Sequence, residues 1–190
     1  MGSGGPVRRL RVAAFAAGAL LAFGPGPASA ADPLFEALAV THVSGGVQAP
    51  DFALTTPDGK QNLSLASLRG KVVLLNIWAT WCPPCREEMP SMERLSQEFK
   101  DQGLAVVAVD LQESPKQVAR FMKDFRLSFP AALDADGKVA ARYQVRALPS
   151  TFLVDRAGRV VGQAVGPRDW ASPESKRLIR WLLTAPGIRS

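Results

Sequence analysis

Hydrophobic and polar residues follow two patterns along this chain, one typical of buried strands and one typical of amphipathic helices. Segments 71–79 and 104–111 are almost continuously apolar and rich in β-branched residues, which is typical of strands covered on both faces. Between them, segment 83–100 places apolar residues three and four positions apart, and this spacing predicts an amphipathic helix. The alternation of strand, helix and strand favours an α/β fold.

The same two patterns continue through the second half of the chain. They predict a helix that begins at Ser114-Pro115 and two further helices at 139–143 and 172–183. They also predict strands at 129–133, 150–155 and 160–165. Ahead of segment 71–79, two short strand-like pieces within 50–65 flank the turn Thr56-Pro57-Asp58-Gly59. Because strands alternate with helices and the last two strands form a hairpin, we predict an α/β mixed sheet flanked by helices on both faces.

The first thirty residues differ in composition from the rest of the chain. An uncharged apolar run at 12–23 is shorter than the roughly 20 residues that a membrane span needs. A Gly-Pro repeat ends this run, and Ala28-Ser29-Ala30 then matches the small-x-small pattern of a signal peptidase site. We therefore predict a signal peptide at 1–30, cleaved after Ala30, and export to the periplasm or another extracytoplasmic space. An uncleaved N-terminal membrane anchor is the alternative.

Composition limits what the exported part can be. With 47% hydrophobic residues it can form one compact core, which we place at 47–185 after a leader or linker at 31–46. Half of the net charge of +6 comes from three arginines before residue 12, and no basic stripe interleaved with aromatics is present, so no nucleic-acid partner is expected. The two Cys and one His are too few for a zinc site, and we predict no metal and no cofactor.

The two cysteines, Cys82 and Cys85, lie where the first buried strand gives way to the predicted helix. Their spacing places Cys82 at the helix start and Cys85 one turn inside. Because unpaired amides and the helix dipole favour a thiolate at a helix N-terminus, we predict Cys82 as the exposed nucleophile and Cys85 as the resolving thiol. Two alternatives remain open. A structural disulfide over so small a loop would contribute only about 2 kcal/mol, and two thiolates could hold Cu(I).

The residues between the cysteines indicate the direction of electron flow. Pro83 and Pro84 have no backbone N–H to donate to the Cys82 sulfur, and no His or Lys separates the cysteines. Strong oxidants depend on a stabilised reduced thiolate, and that stabilisation is weaker here. The segment therefore favours a reductant.

The motif at 81–85, Trp-Cys-Pro-Pro-Cys, follows the strand sequence at 72–80 and precedes Pro149. This set of residues resembles the thioredoxin superfamily and, within it, the exported TlpA/ResA-like thiol-disulfide oxidoreductases. The resemblance spans about 47–183. It implies a thioredoxin-like fold with an N-terminal β-hairpin at 50–65 and a central insertion at 112–127.

The resemblance also implies roles for single residues. Pro149 would be the cis-proline that faces a Cys82–Cys85 disulfide, with the Leu148 backbone pairing with an extended client segment. Trp81 and Pro83 would border this client site. Cytosolic thioredoxins carry a buried Asp at the position of Asn76. In ResA-like members a Glu takes over proton handling, which implies that Glu88 acts as a base for Cys85.

A function and partners follow from the same resemblance. It implies a monomer that reduces disulfides or CxxC motifs in client proteins, among them apocytochrome c before haem attachment, and that takes electrons from a membrane thiol donor. The alternative from another class is a copper-binding or copper-site assembly factor that uses the same thiol pair. A peroxidase is disfavoured, because the chain lacks the Thr-x-x-Cys motif of peroxiredoxins.

Overall fold

The computed structural model describes residues 1–2 and 32–185, so the predicted signal peptide at 1–30 lies almost wholly outside the described residues. Six strands form one mixed sheet in the order β1-β8-β7-β4-β5-β6, and two short strands, β2 and β3, form a separate hairpin. The strands are β1 (Thr41–Gln48), β2 (Ala53–Thr55), β3 (Asn62–Ser64), β4 (Val72–Trp78), β5 (Leu104–Leu111), β6 (Ala131–Asp134), β7 (Ser150–Val154) and β8 (Arg159–Val165). The helices are α1 (Asp32–Glu36), α2 (Pro83–Phe99), α3 (Pro115–Asp124), α4 (Lys138–Arg142) and α5 (Pro173–Thr184).

The central strand β4 is buried along its whole length, as its apolar sequence predicts. It pairs in parallel with β5 and antiparallel with β7, which makes the sheet mixed. Alternate β4 side chains enter two separate hydrophobic clusters, Leu74 and Trp78 on one face and Leu75 and Ile77 on the other. This alternation follows from the two-residue period of a strand and explains why no polar face interrupts the sequence.

Helices cover both faces of the sheet, which confirms the predicted α/β architecture. On one face, α1, α2, α3 and α5 contribute their apolar side chains to the larger cluster. On the other, α4 packs with the β2–β3 hairpin against the smaller cluster. The start of α3 has the predicted Ser-Pro signal, where Ser114 and Gln117 form a reciprocal capping box.

The expectation that 31–46 is a leader outside the core is wrong for its described part. Phe35, Leu38 and Val40 are buried in the larger cluster, and β1 is an edge strand that pairs antiparallel with β8. The Phe35 ring stacks on His42 with ring centroids 4.4 Å apart. The folded domain therefore includes α1 and β1.

The segments that the family resemblance singled out both have regular structure. Within 50–65, β2 and β3 pair across the predicted turn, and Thr56 N–H closes that turn onto Gln61 O at 2.9 Å. Within 112–127 lies α3, between β5 and β6. Among the described residues no helix is long and apolar enough to cross a membrane.

Candidate active site

Cys82 and Cys85 form a disulfide at the start of α2, with their Cα atoms 5.3 Å apart. Cys82 is the N-cap residue of this helix, Pro83 occupies the first helical position, and the Cys82 sulfur accepts a hydrogen bond from the Cys85 N–H at 3.3 Å. Proline is favoured at this position because its fixed φ suits the first turn and its missing N–H needs no partner there. The sequence prediction of one cysteine at the helix start and one a turn inside is confirmed.

The two sulfurs differ in their access to solvent. The structure corrects the expectation of an exposed nucleophile, because Cys82 is 4% exposed in the disulfide form and Cys85 is 0% exposed. Cys82 nevertheless lines an open groove of about 440 Å³. The groove residues are Trp81, Cys82, Pro83, Pro84, Leu111, Val145, Arg146, Ala147 and Leu148. The groove therefore gives a partner access to Cys82, whereas Cys85 is fully buried.

The far wall of the groove leads into a cis peptide bond between Leu148 and Pro149. The Pro149 carbonyl accepts a hydrogen bond from Gly166 N at 2.9 Å, and Ser150 Oγ donates to Ala147 O at 2.8 Å, so both ends of the turn are tied down. Among the described residues, nothing accepts a hydrogen bond from the Leu148 N–H. The turn thus presents an unused backbone group beside Cys82, and the cis geometry that the resemblance implied is present.

Glu88 lies one turn beyond Cys85 on α2 and is 2% exposed. Its Oε1 accepts from Asn76 Nδ2 at 2.8 Å, and its Oε2 accepts from Arg168 N and Trp170 Nε1, both at 3.1 Å. Burial raises the pKa of Glu88 to about 7, although these three hydrogen bonds favour the carboxylate. A group with this pKa exchanges its proton near neutral pH. The neighbouring Glu87 is exposed and lacks the burial that sets Glu88 apart.

A second buried carboxyl group, Asp110, lies at the end of β5, directly opposite Trp78 of β4. Burial, together with the nearby Glu113 carboxylate, raises the pKa of Asp110 to about 8. Its Oδ1 accepts from the Glu113 N–H at 3.1 Å, whereas its Oδ2 has no hydrogen-bond partner among the described residues. Its surroundings therefore favour the protonated form of Asp110.

Glu113 connects this carboxyl group to the loop that carries Cys82. Its two carboxylate oxygens accept hydrogen bonds from the backbone N–H and the hydroxyl of Thr80, two residues before Cys82. The roles of Asp110, Glu113, Arg168 and Trp170 were not predicted from the sequence. A signal existed for Asp110, because it is the one charged residue in a strand that is otherwise apolar.

Side chains that could bind a metal are sparse in this part of the chain. Within the described ranges, no three His, Cys, Asp or Glu residues are grouped so that they could hold a metal ion. Among the described residues, the ligands for a soft ion such as Cu(I) would therefore be the two cysteine sulfurs of the reduced protein.

Comparison with known proteins places these features in a family. Residues 46–163 match the AhpC/TSA family. The thiol-disulfide oxidoreductase ResA of Bacillus subtilis is 44% identical over 124 residues, which cover 65% of this chain and 69% of that protein.

Solved structures share the fold. The crystal structure of a putative thiol:disulfide interchange protein DsbE from Chlorobium tepidum is 36% identical, with a TM-score of 0.67 over 73% of this chain and 96% of that one. A secreted Mycobacterium tuberculosis disulfide oxidoreductase described as homologous to E. coli DsbE is 28% identical, with a TM-score of 0.58 over 68% of this chain and 95% of that one. The chain therefore belongs to the AhpC/TSA family and, among its thioredoxin-like members, to the ResA-like thiol-disulfide oxidoreductases.

Proposed function

We propose that this chain is an exported reductase that passes two electrons from the Cys82–Cys85 dithiol to disulfides in client proteins. The observation that carries the proposal is the position of Cys82, which caps α2 and lines an open groove beside the cis Leu148-Pro149 bond. Export is supported by the signal-like pattern at 1–30 and by a relative that is described as secreted.

The hydrogen bonds available to the Cys82 sulfur support one direction of electron transfer. Pro83 and Pro84 have no N–H, so the Cys85 N–H is the one backbone donor to this sulfur among the described residues. A thiolate with few donors is less stabilised, and a dithiol with a less stabilised thiolate gives up its electrons more readily. This favours reduction of clients over their oxidation.

The reaction is two successive thiol-disulfide exchanges. The Cys82 thiolate attacks one client sulfur, a Cys82–client S–S bond forms, the client disulfide breaks, and the other client sulfur leaves as a thiolate that takes up a proton. Cys85 then loses its proton and attacks the Cys82 sulfur, which releases the second client sulfur and forms the Cys82–Cys85 disulfide. The client gains two electrons and two protons. A membrane thiol donor would reduce the enzyme again.

Glu88 would take the proton that Cys85 must lose. Glu88 and Cys85 are three residues apart on α2 and therefore lie on the same side of the helix. A carboxylate whose pKa is about 7 is a far better base at neutral pH than one with an ordinary pKa of 4.5. Trp81, Pro83, Leu148 and Pro149 would contact the client, whose extended backbone would pair with Leu148 as an added strand.

For the client we propose apocytochrome c, whose paired cysteines must be reduced before haem is attached. The support for this choice is the membership among ResA-like proteins, together with a groove that admits an extended segment.

The decisive experiment is partner trapping in the native host. The Cys85→Ser variant keeps the nucleophile but cannot release the client. We therefore expect mixed disulfides through Cys82, which a reductant cleaves and in which mass spectrometry identifies the client. The Cys82→Ser/Cys85→Ser double variant is the matched control. If the single variant traps no more protein than the double variant, the reductase proposal is overturned.

The trapped proteins also test the client. Adducts that contain no apocytochrome c would leave the reductase in place and refute this client. A parallel titration of the reduced wild type with Cu(I) in the presence of a competing chelator tests the copper alternative. Retention of one Cu(I) per chain without trapped clients would favour the copper-binding function instead.

A further inference from the structure

We propose that Arg146 makes the Cys82 groove selective for client segments that carry an acidic side chain close to the disulfide under attack. The inference rests on the proposed reductase function and specifies its substrate class. Arg146 follows Val145 in a loop that lines the groove together with Trp81 and Pro83.

The groove offers one charged group to an incoming client. Besides Cys82 and Arg146, its lining residues are all apolar or aromatic, namely Trp81, Pro83, Pro84, Leu111, Val145, Ala147 and Leu148. The prolines that begin α2 remove two N–H groups that would otherwise be available to an anion. Arg86, the next cation on α2, lies over the Phe125 ring at 5.7 Å and is not a lining residue. Charge recognition in the groove therefore falls to Arg146.

Arg146 is available for this contact. Its side chain is exposed and makes no hydrogen bond or ion pair with another of the residues that the structure describes. A guanidinium offers five N–H donors in a planar fork that matches a carboxylate. An unpaired guanidinium beside an apolar groove would bind a carboxylate without first breaking an existing ion pair.

The backbone geometry sets where the acidic residue would lie. Arg146 precedes Leu148 by two positions, and the N–H groups of Arg146, Ala147 and Leu148 all lack acceptors among the described residues. Residues 145–149 belong to no strand of the sheet, but an extended client strand that pairs with the Leu148 backbone would advance about 3.3 Å per residue. A client strand whose cysteine lies beside Leu148, next to Cys82, would thus bring the residue about two positions from that cysteine close to Arg146. The preferred client is an extended segment with apolar residues around its cysteine and an Asp or Glu about two positions away.

The test compares three synthetic peptides that each contain one intramolecular disulfide and differ at a single position, two residues from the cysteine, as Glu, Gln or Lys. The reduced full chain is mixed with each peptide and the rate of peptide reduction is measured in a single turnover. We expect the Glu peptide to react about 1.5-fold to fivefold faster than the Gln peptide, which is the range for an exposed charge pair. The Lys peptide should react more slowly than both. High salt should reduce these ratios, because exposed charges are screened.

The variants Arg146→Gln and Arg146→Glu identify the cation responsible. Arg146→Gln should bring the ratio of Glu to Gln peptide rates close to one, and Arg146→Glu should invert the order so that the Lys peptide reacts fastest. Using ratios within each variant cancels any general change in Cys82 reactivity. Arg142→Glu changes the net charge by the same amount at an exposed arginine that lines a neighbouring groove but not this one, so its ratios should match the wild type.

Unchanged ratios in Arg146→Glu, or equal loss of selectivity in Arg142→Glu, would overturn the proposal while the reductase function stands. Reduction of the uncharged small molecule bis(2-hydroxyethyl) disulfide is measured in parallel, to distinguish failure of the charge selectivity from failure of the reductase function. If it and all three peptides remain unreduced, the proposed reductase function fails and this inference fails with it.

Discussion

Asn76 donates a hydrogen bond from its Nδ2 to Oε1 of Glu88 at 2.8 Å, deep in the core beneath the cysteine-bearing helix. The same amide group also donates to Thr151 Oγ1 at 2.9 Å, which leaves Asn76 Oδ1 without a partner among the described residues. Asn76 therefore contacts Glu88 only as a donor. This arrangement lets one buried carboxyl group titrate near neutral pH without a second carboxylate beside it.

Replacing Glu88 by Gln should change how stability depends on pH. Burial raises the pKa of Glu88 from 4.5 to about 7 in the folded chain, so the folded state holds an extra proton between these values. The contribution of Glu88 to the free energy of unfolding is fully present below pH 4.5. As the pH rises to about 7, this contribution falls by on the order of 3 kcal/mol. We expect denaturant unfolding of the oxidised protein to show that Glu88→Gln gains stability relative to wild type as the pH rises from 4 to 8.

Glu88→Gln isolates the effect of the charge because the new amide side chain also has hydrogen-bond partners. An Asn76 amide flip would turn Oδ1 toward the new NH₂ group, while the glutamine oxygen accepts from Arg168 N and Trp170 Nε1. Asp110, whose pKa is raised to about 8, adds a pH dependence of the same sign to both proteins and cancels in the difference. Parallel stability curves for the two proteins would contradict the raised pKa of Glu88.

The same variant should alter the pH profile of client release. If Glu88 accepts the Cys85 proton, the second exchange in the wild type should accelerate as the pH rises through about 7, and Glu88→Gln should lose that inflection. The measurement is the decay of a preformed Cys82–client mixed disulfide by rapid acid quench. The first exchange, at Cys82, serves as the internal control. An inflection that is unchanged in Glu88→Gln would mean that another group accepts the Cys85 proton.

Replacing Asn76 by Asp should produce two coupled carboxyl groups. The new carboxylate would lie at hydrogen-bond distance from Glu88, and two such charges cannot both form at low cost, so one proton would be retained well above pH 7. We expect a loss of stability of about 3 kcal/mol or more at pH 8 relative to pH 5, beyond that of the wild type. The Asn76→Asp/Glu88→Gln double variant has a single carboxyl group and should recover most of the loss. A single variant that follows the wild-type curve would refute the coupling.

Removing the Glu113 side chain should loosen the loop that carries Cys82. In Glu113→Ala the Thr80 N–H and hydroxyl both lose their acceptor, which should cost about 1–3 kcal/mol of stability. The reaction of reduced Cys82 with an alkylating reagent should change its rate as well, because Thr80 is only two residues away. Glu113→Gln retains an acceptor for the N–H and a donor for the hydroxyl, and it should behave more like the wild type. Equal behaviour of the Ala and Gln variants would show that these hydrogen bonds do not position the loop.

Much of the fold was predictable because local sequence patterns decide it. The segment at 104–111 coincides with β5, and the apolar spacing at 83–100 predicted the helix that begins at Pro83, directly after Cys82. Periodicity and capping depend on residues close in sequence, so these elements can be assigned before any partner is known.

The rest depends on contacts between distant segments. Glu88 gains its raised pKa from burial, and its partners Arg168 and Trp170 lie about 80 residues further along the chain. Thr80 and Glu113 belong to separate loops, and nothing in either segment alone indicates their contact. The residues at 31–46 look like a leader because their polar and glycine content is high, yet β1 is stabilised by a partner strand, β8, near the other end of the domain.

The contact of α1 with the sheet gives a final prediction, since the ring of Phe35 packs over Gly162 of β8. A Cβ built on Gly162 would lie 2.6 Å from Phe35 Cε1. We expect Phe35→Ala to cost about 3–5 kcal/mol by leaving a cavity, and Gly162→Ala to destabilise by overpacking. Glu36→Ala, at the exposed neighbouring position, is the matched control and should stay within about 0.5 kcal/mol of the wild type.

The two substitutions should compensate each other, because the methyl group added at Gly162 enters the space that the ring leaves. The Phe35→Ala/Gly162→Ala double variant should therefore lose less stability than the sum of the single variants, by about 0.5–3 kcal/mol in a double-mutant cycle measured by denaturant unfolding. Such coupling requires that the two residues be in contact. Strict additivity, or a Phe35→Ala loss as small as that of the exposed control, would mean that the segment before β1 does not pack on the sheet and that the domain starts later in the chain.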